Sequence, residues 1–294
     1  MTGLILTSAS GHSYPTGRGE GGEGYNPSPI PSPVGVVVVA AGESRRMAGV
    51  DKIFTPLLGL PLIAHTVEAF EAYPSVGSLV LVLSRDRVEL GYDLAQERGW
   101  RKVTICQGGP RRQDSVRLGL ERLSEEKCSW VAVHDGARPC IGPLLSEGLL
   151  GRGITTAYET GAAVAAVPAK DTIKVVSRDG LVEATPPRAT LWMVQTPQIF
   201  RYDLLLEAHR ACQETVTDDA SIVEVLGHRV KVFMGSYSNL KVTTPEDLIV
   251  AEAILRATKG IEATPHPGAS ASLRAEAPSP GSGPPLSHRE RGKA

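Results

Sequence analysis

The feature that most constrains the fold of this chain is a series of short, continuously apolar segments separated by amphipathic ones. Apolar runs rich in β-branched residues are typical of strands buried on both faces, and helices between such strands produce a parallel sheet. We therefore expect an α/β fold: a Rossmann-like, mostly parallel sheet with helices on both faces. The segments that predict strands are 35–41, 78–84, 102–108, the start of 130–139, 161–171 and 228–235. Helices are predicted at 61–73, 111–123, 202–211, 217–226 and from Thr244 onward, with Thr244 as N-cap.

One segment, 171–187, breaks this alternation. It contains two short alternating stretches around Arg-Asp-Gly, a hairpin turn signal, and has little apolar surface of its own. A lone hairpin is marginally stable in water, so it should pack on something else, such as another subunit. We expect a protruding β-hairpin arm at about 170–188 that is used in dimerisation.

The two ends of the chain differ in composition from its middle. The first 33 residues contain seven Gly and five Pro, and residues 261–294 contain six Pro, four Gly and no aromatic residue. Such segments cannot bury enough apolar surface to offset their ordering entropy. We expect one folded domain at 34–259 between disordered tails at 1–33 and 260–294.

Charge and composition exclude several classes of protein. The formal net charge of −1 argues against a general nucleic-acid or membrane-surface binder. No apolar run approaches membrane-spanning length, and the beginning of the chain has no basic leader region. The four cysteines lack C-x-x-C spacing, as expected for reduced thiols. We expect a cytoplasmic protein with neither nucleic acid nor membrane as partner.

The first predicted strand leads into a small-residue turn and a basic loop, "VVVVAAGESRRMAGVDK". Ligands of open α/β sheets bind at the carboxyl edge of the strands, and residues with little side chain let a ligand approach the backbone. The loop contains neither a G-x-G-x-x-G nor a Walker A pattern. Its clustered cations indicate an anion such as a polyphosphate, although a solvated basic loop fits the spacing equally well. The residues concerned are Ala40, Ala41, Gly42, Arg45, Arg46 and Lys52.

Two further strand ends carry candidate site residues. After the third predicted strand, Gly108 and Gly109 expose backbone groups and Ser115 offers a hydroxyl near a helix start. An ordinary glycine turn explains that pattern as well. After the fourth, Asp135 could meet a metal or a hydroxyl, and Arg138 suits a phosphate. The alternative there is an Asp–Arg ion pair within a turn.

Several of these motifs resemble known nucleotidyltransferases. "AAGESRRM" followed by Lys52 resembles the A-A-G-x-G-x-R-M…P-K signature of the sugar-nucleotidyltransferases. The segments "GGPRRQDSV", "VHDGARP", "DTIK", "TPQIF", "TDDAS" and "LKVTTPEDL" follow in the order found in the 2-C-methyl-D-erythritol 4-phosphate cytidylyltransferase family. The resemblance covers about residues 35–256.

The resemblance implies a reaction. Enzymes of this family join CTP and 2-C-methyl-D-erythritol 4-phosphate, giving 4-diphosphocytidyl-2-C-methyl-D-erythritol and pyrophosphate in the non-mevalonate isoprenoid pathway. The substrate phosphate attacks the CTP α-phosphorus in line, so catalysis consists of positioning and charge stabilisation. By resemblance, Arg46 and Lys52 stabilise the transition state, and Mg²⁺ or another divalent cation is held mainly by the CTP phosphates, with Asp135 as a further candidate ligand.

The resemblance also divides the remaining residues between the two substrates. The CTP-binding set that it implies is Ala40, Ala41, Gly42, Arg45, Gly108, Gly109, Ser115 and Asp135. The set implied for methylerythritol phosphate is Asp135, Arg138, Thr172, Arg188, Thr217 and Lys241. In the family the hairpin arm is exchanged across a homodimer, so that Thr172 and Arg188 reach the substrate of the neighbouring subunit.

Three departures from the family pattern leave alternatives open. Ser44 replaces a glycine of the loop, Asp51 precedes Lys52, and Pro110 stands where the family commonly has an acidic residue. A cytidylyltransferase acting on a pentitol phosphate such as ribitol 5-phosphate would share the first half of the site. The altered loop also motivates an inactive nucleotide-binding module, against which both candidate catalytic cations are present.

Overall fold

A computed structural model describes residues 33–42, 51–123 and 128–261. Nearly all of both predicted tails lies outside these ranges. The described strands, in chain order, are β1 (Val34–Ala40), β2 (Pro56–Leu57), β3 (Leu60–Pro61), β4 (Val76–Leu83), β5 (Val103–Gln107), β6 (Trp130–Asp135), β7 (Ala162–Pro168), β8 (Val175–Val176), β9 (Val182–Ala184), β10 (Trp192–Arg201) and β11 (Lys231–Met234). The described α-helices are α1 (Leu62–Glu71), α2 (Val88–Arg98), α3 (Arg112–Arg122), α4 (Ile141–Ser146), α5 (Leu149–Ala157), α6 (Tyr202–Ala211), α7 (Asp219–Val225) and α8 (Pro245–Lys259).

Within the described residues, seven strands form one sheet in the order β11-β7-β10-β6-β1-β4-β5. The pairs of β1 with β4 and β6, β4 with β5, and β7 with β11 are parallel. The fold class is therefore the predicted mostly parallel α/β sheet. Strand β10 is the exception, since it runs antiparallel to both β6 and β7.

The sequence pattern predicts no structure for β10, and Pro197 explains why. Proline cannot donate to a strand ladder, so a Pro within a run argues against a central strand. In the structure, the register of β10 with β7 is irregular between Val194 and Gln198. The strand accommodates Pro197 at this irregularity and pairs with neighbours on both sides of it.

The core lies on both faces of the sheet because successive side chains of a strand point to opposite faces. In β1, Val36 and Val38 pack in a cluster with Phe70 of α1, whereas Val37 packs in a second cluster with Leu120 of α3. All of these side chains are fully buried. Fully burying a valine or leucine side chain contributes about 1.5–3 kcal/mol, so this strand is firmly held between the two helical layers.

The predicted hairpin is present as β8 and β9, which pair in an antiparallel manner. Its turn includes Gly180, whose φ of +86° lies in the left-handed region that favours glycine. The apolar side chains of the arm face outward, and Leu181 is 66% exposed. Among the described residues, little of the protein covers this arm.

The last helix begins as predicted. Thr244 accepts a hydrogen bond from the backbone N–H of Asp247, and the Asp247 carboxylate accepts one from the N–H of Thr244. Pro245 occupies the first turn, where its missing N–H costs nothing. In the part of the chain that the structure describes, no helix has the length and apolar character needed to cross a bilayer.

Candidate functional site

The predicted ligand-binding edge of the sheet forms a cavity of about 600 Å³. Strand β1 ends at Ala40, β5 at Gln107 and β6 at Asp135, and all three run in the same direction. Their carboxyl ends therefore meet at this edge, where open α/β sheets bind ligands. The predicted site residues that line the cavity are Ala40, Ala41, Gly42, Lys52, Gly109, Ser115, Asp135 and Lys241. Arg45 and Arg46 belong to the segment 43–50, outside the described residues.

Gly108 supports this cavity by packing. A Cβ atom at this position would lie 2.5 Å from the Cβ of Ala41 and 2.7 Å from the Oγ of Ser115. The absence of a side chain therefore lets the turn after β1, the loop after β5 and the start of α3 approach one another. The Ser115 hydroxyl accepts a hydrogen bond of 3.1 Å from the Gly109 N–H, which fixes the loop against the helix.

Lys52 reaches the cavity from the segment that follows the undescribed loop. Its Nζ donates to the carbonyl of Val242 over 3.3 Å, and the N–H of Val242 donates to the carbonyl of Ala137 over 2.8 Å. The neighbouring Asp51 forms an ion pair with Arg87, whose Nε lies 2.7 Å from Oδ2, and also accepts from the N–H of Ile53. The acid next to Lys52 thus has a defined cationic partner of its own.

Asp135 lies at the centre of a cluster of positively charged side chains. Its carboxylate lies 2.8 Å from Lys241 Nζ, 3.6 Å from Arg112 Nη2 and 3.7 Å from Arg138 Nε. Burial alone would raise the pKa of Asp135, but the positive charges of Lys241 and Arg112 outweigh burial and hold the pKa well below its usual range. Asp135 is therefore ionised at neutral pH.

Arg112 is a site residue that the sequence motifs did not predict. Its guanidinium lies between two carboxylates, with Nη1 at 2.8 Å from Asp219 Oδ2 and Nη2 at 3.6 Å from Asp135 Oδ1. Its position could have signalled a special role, because Arg112 is the first residue of α3. The positive end of the helix dipole disfavours cations there, so an arginine at this position indicates an anionic neighbour or ligand.

A second cavity, of about 490 Å³, adjoins the first. It is lined by the predicted residues Arg138 and Thr217, and it shares Arg112, Asp135 and Lys241 with the first cavity. The guanidinium of Arg138 is buried and donates from Nη1 to the carbonyl of Asn239 over 2.5 Å. Burial lowers the pKa of Arg138, and Asp135 offsets that effect only in part. The predicted Asp135–Arg138 pair exists, but at 3.7 Å it is the longest of the three contacts.

The two predicted site residues on the arm do not join this constellation. Thr172 and Arg188 are exposed and line neither of the two cavities of their own chain. The guanidinium of Arg188 instead donates to the carbonyl of Lys170 over 2.7 Å.

His134 lies behind the site and is fully buried. Its ring packs edge-on against Phe70, with ring centroids 5.2 Å apart, and burial lowers the pKa of His134 to about 3. The imidazole is therefore uncharged at neutral pH and faces the core rather than the cavities.

The adjacent acids Asp218 and Asp219 point in different directions. Asp218 caps α7 by accepting from the N–H of Ser221 over 3.0 Å, whereas Asp219 is buried against Arg112 and His209. Among the described residues, no group of three or more His, Cys, Asp or Glu side chains is arranged to hold a metal ion. Asp135, an ionised carboxylate that lines both cavities, fits a hard divalent cation as a single protein ligand, with the remaining oxygens supplied by a phosphate-bearing ligand.

Comparison with known proteins matches this chain to one family. Residues 34–257 match the family model of 2-C-methyl-D-erythritol 4-phosphate cytidylyltransferase. A relative of that name from Dehalococcoides mccartyi is 49% identical over 224 residues, which cover 76% of this chain and 96% of the relative. One from Alkaliphilus oremlandii is 46% identical over 227 residues, covering 75% and 94% of the two chains.

Solved structures show the same relationship. The crystal structure of 4-diphosphocytidyl-2C-methyl-D-erythritol synthase from Anaerococcus prevotii superposes with a TM-score of 0.65 at 28% identity, covering 76% of this chain and 99% of that one. The crystal structure of 2-C-methyl-D-erythritol 4-phosphate cytidylyltransferase from Thermus thermophilus gives a TM-score of 0.59 at 30% identity, with 75% and 98% covered.

Proposed function

Because the chain belongs to the 2-C-methyl-D-erythritol 4-phosphate cytidylyltransferase family, we propose that its two adjoining cavities bind the two substrates of that reaction. The protein is a nucleotidyltransferase of the isoprenoid pathway that transfers a cytidylyl group from CTP to methylerythritol phosphate. CTP occupies the cavity beside β1 and α3. Methylerythritol phosphate occupies the cavity beside β10 and α7.

One observation carries this assignment: Arg112, Asp135 and Lys241 line both cavities. The transferred α-phosphate must meet the attacking phosphate where the two substrate sites join. Two cations and one carboxylate at that junction suit two phosphates that would otherwise repel each other. The cations offset the repulsion, and the carboxylate keeps the cations in place before the substrates bind.

The cavity proposed for CTP combines a backbone that phosphates can approach with positively charged side chains. Ala40, Ala41 and Gly42 leave room for phosphates at the backbone, and Gly109 and Ser115 form the wall that the family uses for the base. Lys52 supplies positive charge to the triphosphate, and by the family pattern Arg46 joins it. These cations bind more tightly as negative charge develops on the five-coordinate phosphorus, which is how they lower the barrier.

The acceptor requires little acid–base help from the protein. A phosphate monoester has a second pKa of about 6, so its attacking oxygen is already ionised near neutral pH. The protein therefore needs to position the phosphate in line with the scissile bond and to neutralise charge. Lys241 and Arg138 suit the acceptor phosphate, and Thr217 suits the polyol.

A divalent cation such as Mg²⁺ would be held by Asp135 together with the CTP phosphates. When bound, it supplies charge neutralisation to the phosphate oxygens. The protein side chains then orient the two substrates, and Arg112 and Lys241 balance the charge of Asp135 while the cation is absent.

The arm supports a homodimer with a shared site. Exposed apolar side chains extend along the arm and the start of β10, a pattern that marks an interaction surface. They include Ile173, Val175, Val176, Leu181, Val182, Trp192, Met193 and Val194. Exchange of the arm between two copies would cover these side chains and bring Thr172 and Arg188 to the acceptor cavity of the partner subunit.

Pyrophosphate release tests the proposed function. The purified protein is incubated with CTP, Mg²⁺ and either methylerythritol phosphate or ribitol 5-phosphate, and we expect release with the former. Lys52→Ala should abolish most of it. Lys102→Ala is a matched control, because Lys102 Nζ also donates to a backbone carbonyl, that of Tyr73 at 3.0 Å, but at the opposite end of the sheet. Equal activity of wild-type protein and Lys52→Ala, or release with ribitol 5-phosphate alone, would contradict the proposal.

A further inference from the structure

A chain of polar side chains leads from the junction of the two cavities into the interior. Asp219 Oδ2 lies 2.8 Å from Arg112 Nη1, and Asp219 Oδ1 lies 3.2 Å from Nε2 of His209. The Asp219 side chain has 0% exposure and that of His209 has 2%. We propose that Asp219, supported by His209, is a positioning residue that holds the Arg112 guanidinium between the two substrates. The inference rests on the proposed function of the junction.

Arg112 needs such an anchor because its other contacts are weak. Asp135 lies 3.6 Å away and is engaged more closely by Lys241 at 2.8 Å. As the first residue of α3, Arg112 also sits at the helix end that repels cations. A planar guanidinium can engage two groups at once through its fork of N–H donors. Asp219 forms an ion pair with Nη1 at 2.8 Å, and Nη2 lies on the side of Asp135, which lines both cavities.

Asp219 is a suitable anchor because the backbone that carries it is fixed. Asp218 caps α7 by accepting from the Ser221 N–H over 3.0 Å. The side chain of Gln198, from β10, donates to Asp218 over 2.8 Å and accepts from the Ala220 N–H over 3.1 Å. The two hydrogen bonds of Gln198 join the first turn of α7 to the central sheet, and the Asp218 cap closes that turn. This also gives a role to Gln198 in the "TPQIF" segment.

The charge state of Asp219 fits the same role. Burial by itself would raise the pKa of this carboxyl, but the Arg112 charge and the His209 contact outweigh burial and keep the pKa below its ordinary value. Asp219 therefore remains an anion at neutral pH, and His209 of α6 orients the oxygen that Arg112 does not use. An ion pair with a buried carboxylate is weak evidence for a stabilising role, so the arrangement points to a function of Arg112 rather than to stability alone.

The consequence for the reaction is geometric. Arg112 lines both cavities, so a guanidinium held in place can bind oxygens of the α-phosphate and of the attacking phosphate together. A displacement of a positioning group by about 1 Å can cost on the order of 100-fold in rate. Loss of Asp219 should therefore act on turnover through Arg112.

A double-mutant cycle tests this route. The variants are Asp219→Asn, Arg112→Gln and the double variant, and the readouts are kcat, KM for both substrates and the CTP dissociation constant from calorimetric titration. We expect Asp219→Asn to lower kcat/KM by about 10-fold to 100-fold, with a smaller rise in the CTP dissociation constant. In the Arg112→Gln background, the same change should cost less than about twofold. Arg112→Gln alone and the double variant should therefore have nearly the same kcat/KM.

Controls separate positioning from folding. Asp203→Asn removes a carboxylate of α6 that pairs with Arg201 at 3.0 Å on the surface, and it should leave all constants unchanged. His209→Gln provides a second route if Asp219→Asn fails to fold, with a severalfold loss of kcat that also disappears in the Arg112→Gln background.

Losses that multiply in the double variant, or full activity of a folded Asp219→Asn, would overturn the positioning role. Wild-type protein that binds CTP without turnover would contradict the proposed function instead. In that case, the coupling between Asp219 and Arg112 would be judged from the CTP dissociation constants of the wild-type protein and the three variants.

Discussion

Lys241 Nζ lies 2.8 Å from Asp135 Oδ2, and this ion pair joins the loop before α8 to the end of β6. Lys241 is 42% exposed at its side chain, whereas the Asp135 side chain is 11% exposed. The lysine therefore presents its charge to both cavities while the buried carboxylate holds it there.

Lys241→Ala should raise KM for methylerythritol phosphate more than it raises KM for CTP. A hydrogen bond to a charged group contributes about 1.5–3 kcal/mol, which corresponds to roughly 10-fold to 150-fold in KM. Steady-state kinetics with each substrate varied in turn measures the effect, and Lys241→Arg should recover part of it. An unchanged KM for the acceptor would show that Lys241 serves only to neutralise Asp135.

Asp51 should matter far less than Lys52. The Asp51 carboxylate is paired with Arg87 at 2.7 Å, with side chains 30% and 14% exposed. Part-exposed ion pairs contribute about 0–1 kcal/mol, so Asp51→Asn should change kcat less than about twofold and lower the melting temperature slightly. Lys52→Ala in the same assay should remove most turnover. A loss of similar size for both variants would mean that Asp51 orients Lys52 during the reaction.

Gly108→Ala should damage the nucleotide cavity through packing. The added methyl would lie 2.5 Å from the Ala41 Cβ and 2.7 Å from the Ser115 Oγ, so the loops must separate. Overpacking of this kind costs about 1–3 kcal/mol, and we expect lower stability in denaturant together with weaker CTP binding. Gly142→Ala is the control, because its nearest neighbour would be the Ala69 Cβ at 3.7 Å, an ordinary contact. Equal stability of the two variants would contradict the prediction.

The two depressed carboxyl pKa values predict how stability depends on pH. Asp135 and Asp219 have folded pKa values below their ordinary ones, so the unfolded chain binds more protons at acidic pH. The free energy of unfolding should therefore be insensitive to these groups above the unfolded pKa of about 3.9, and should fall as pH decreases below it. Urea unfolding between neutral and strongly acidic pH measures the slope, which Asp219→Asn should make shallower. An identical slope in that variant would refute the assignment.

Mixing two inactive variants tests the shared site. Lys52→Ala disables the nucleotide side of a subunit, and Arg188→Ala disables the arm that would serve its neighbour. Random exchange makes about half of the dimers hybrid, each with one intact site, so about a quarter of wild-type activity should return. Native mass spectrometry confirms that hybrids form. Hybrids without activity would show that Arg188 acts within its own subunit.

The sequence was sufficient for the elements whose residues interact locally. The apolar runs of β1, β4 and β6 and the capping pattern of Thr244 with Pro245 predict their structures because burial and capping act over a few residues. Strand β10 was not predicted, since Pro197 removes the usual strand signal and only pairing with β6 and β7 establishes the strand.

Among the site residues, too, local sequence patterns were predictive, whereas contacts between distant parts of the chain were not predicted. Asp135 and Ser115 were predicted from their places at a strand end and a helix start. The partnership of Arg112 with Asp219 was not, because it depends on how α3 packs beside α7 and on no local pattern. The placement of Thr172 and Arg188 away from the cavities of their own chain likewise follows from the position of the arm, which a sequence pattern does not specify.

The loop that precedes α8 has a consequence for biosynthesis. Asn239 receives the hydrogen bond of Arg138, Lys241 neutralises Asp135, and Val242 bonds both Lys52 and Ala137. Translation delivers this loop after every strand of the sheet. A nascent chain therefore carries every strand that borders the two cavities before it carries the groups of this loop, so catalysis requires the loop itself to have left the ribosome.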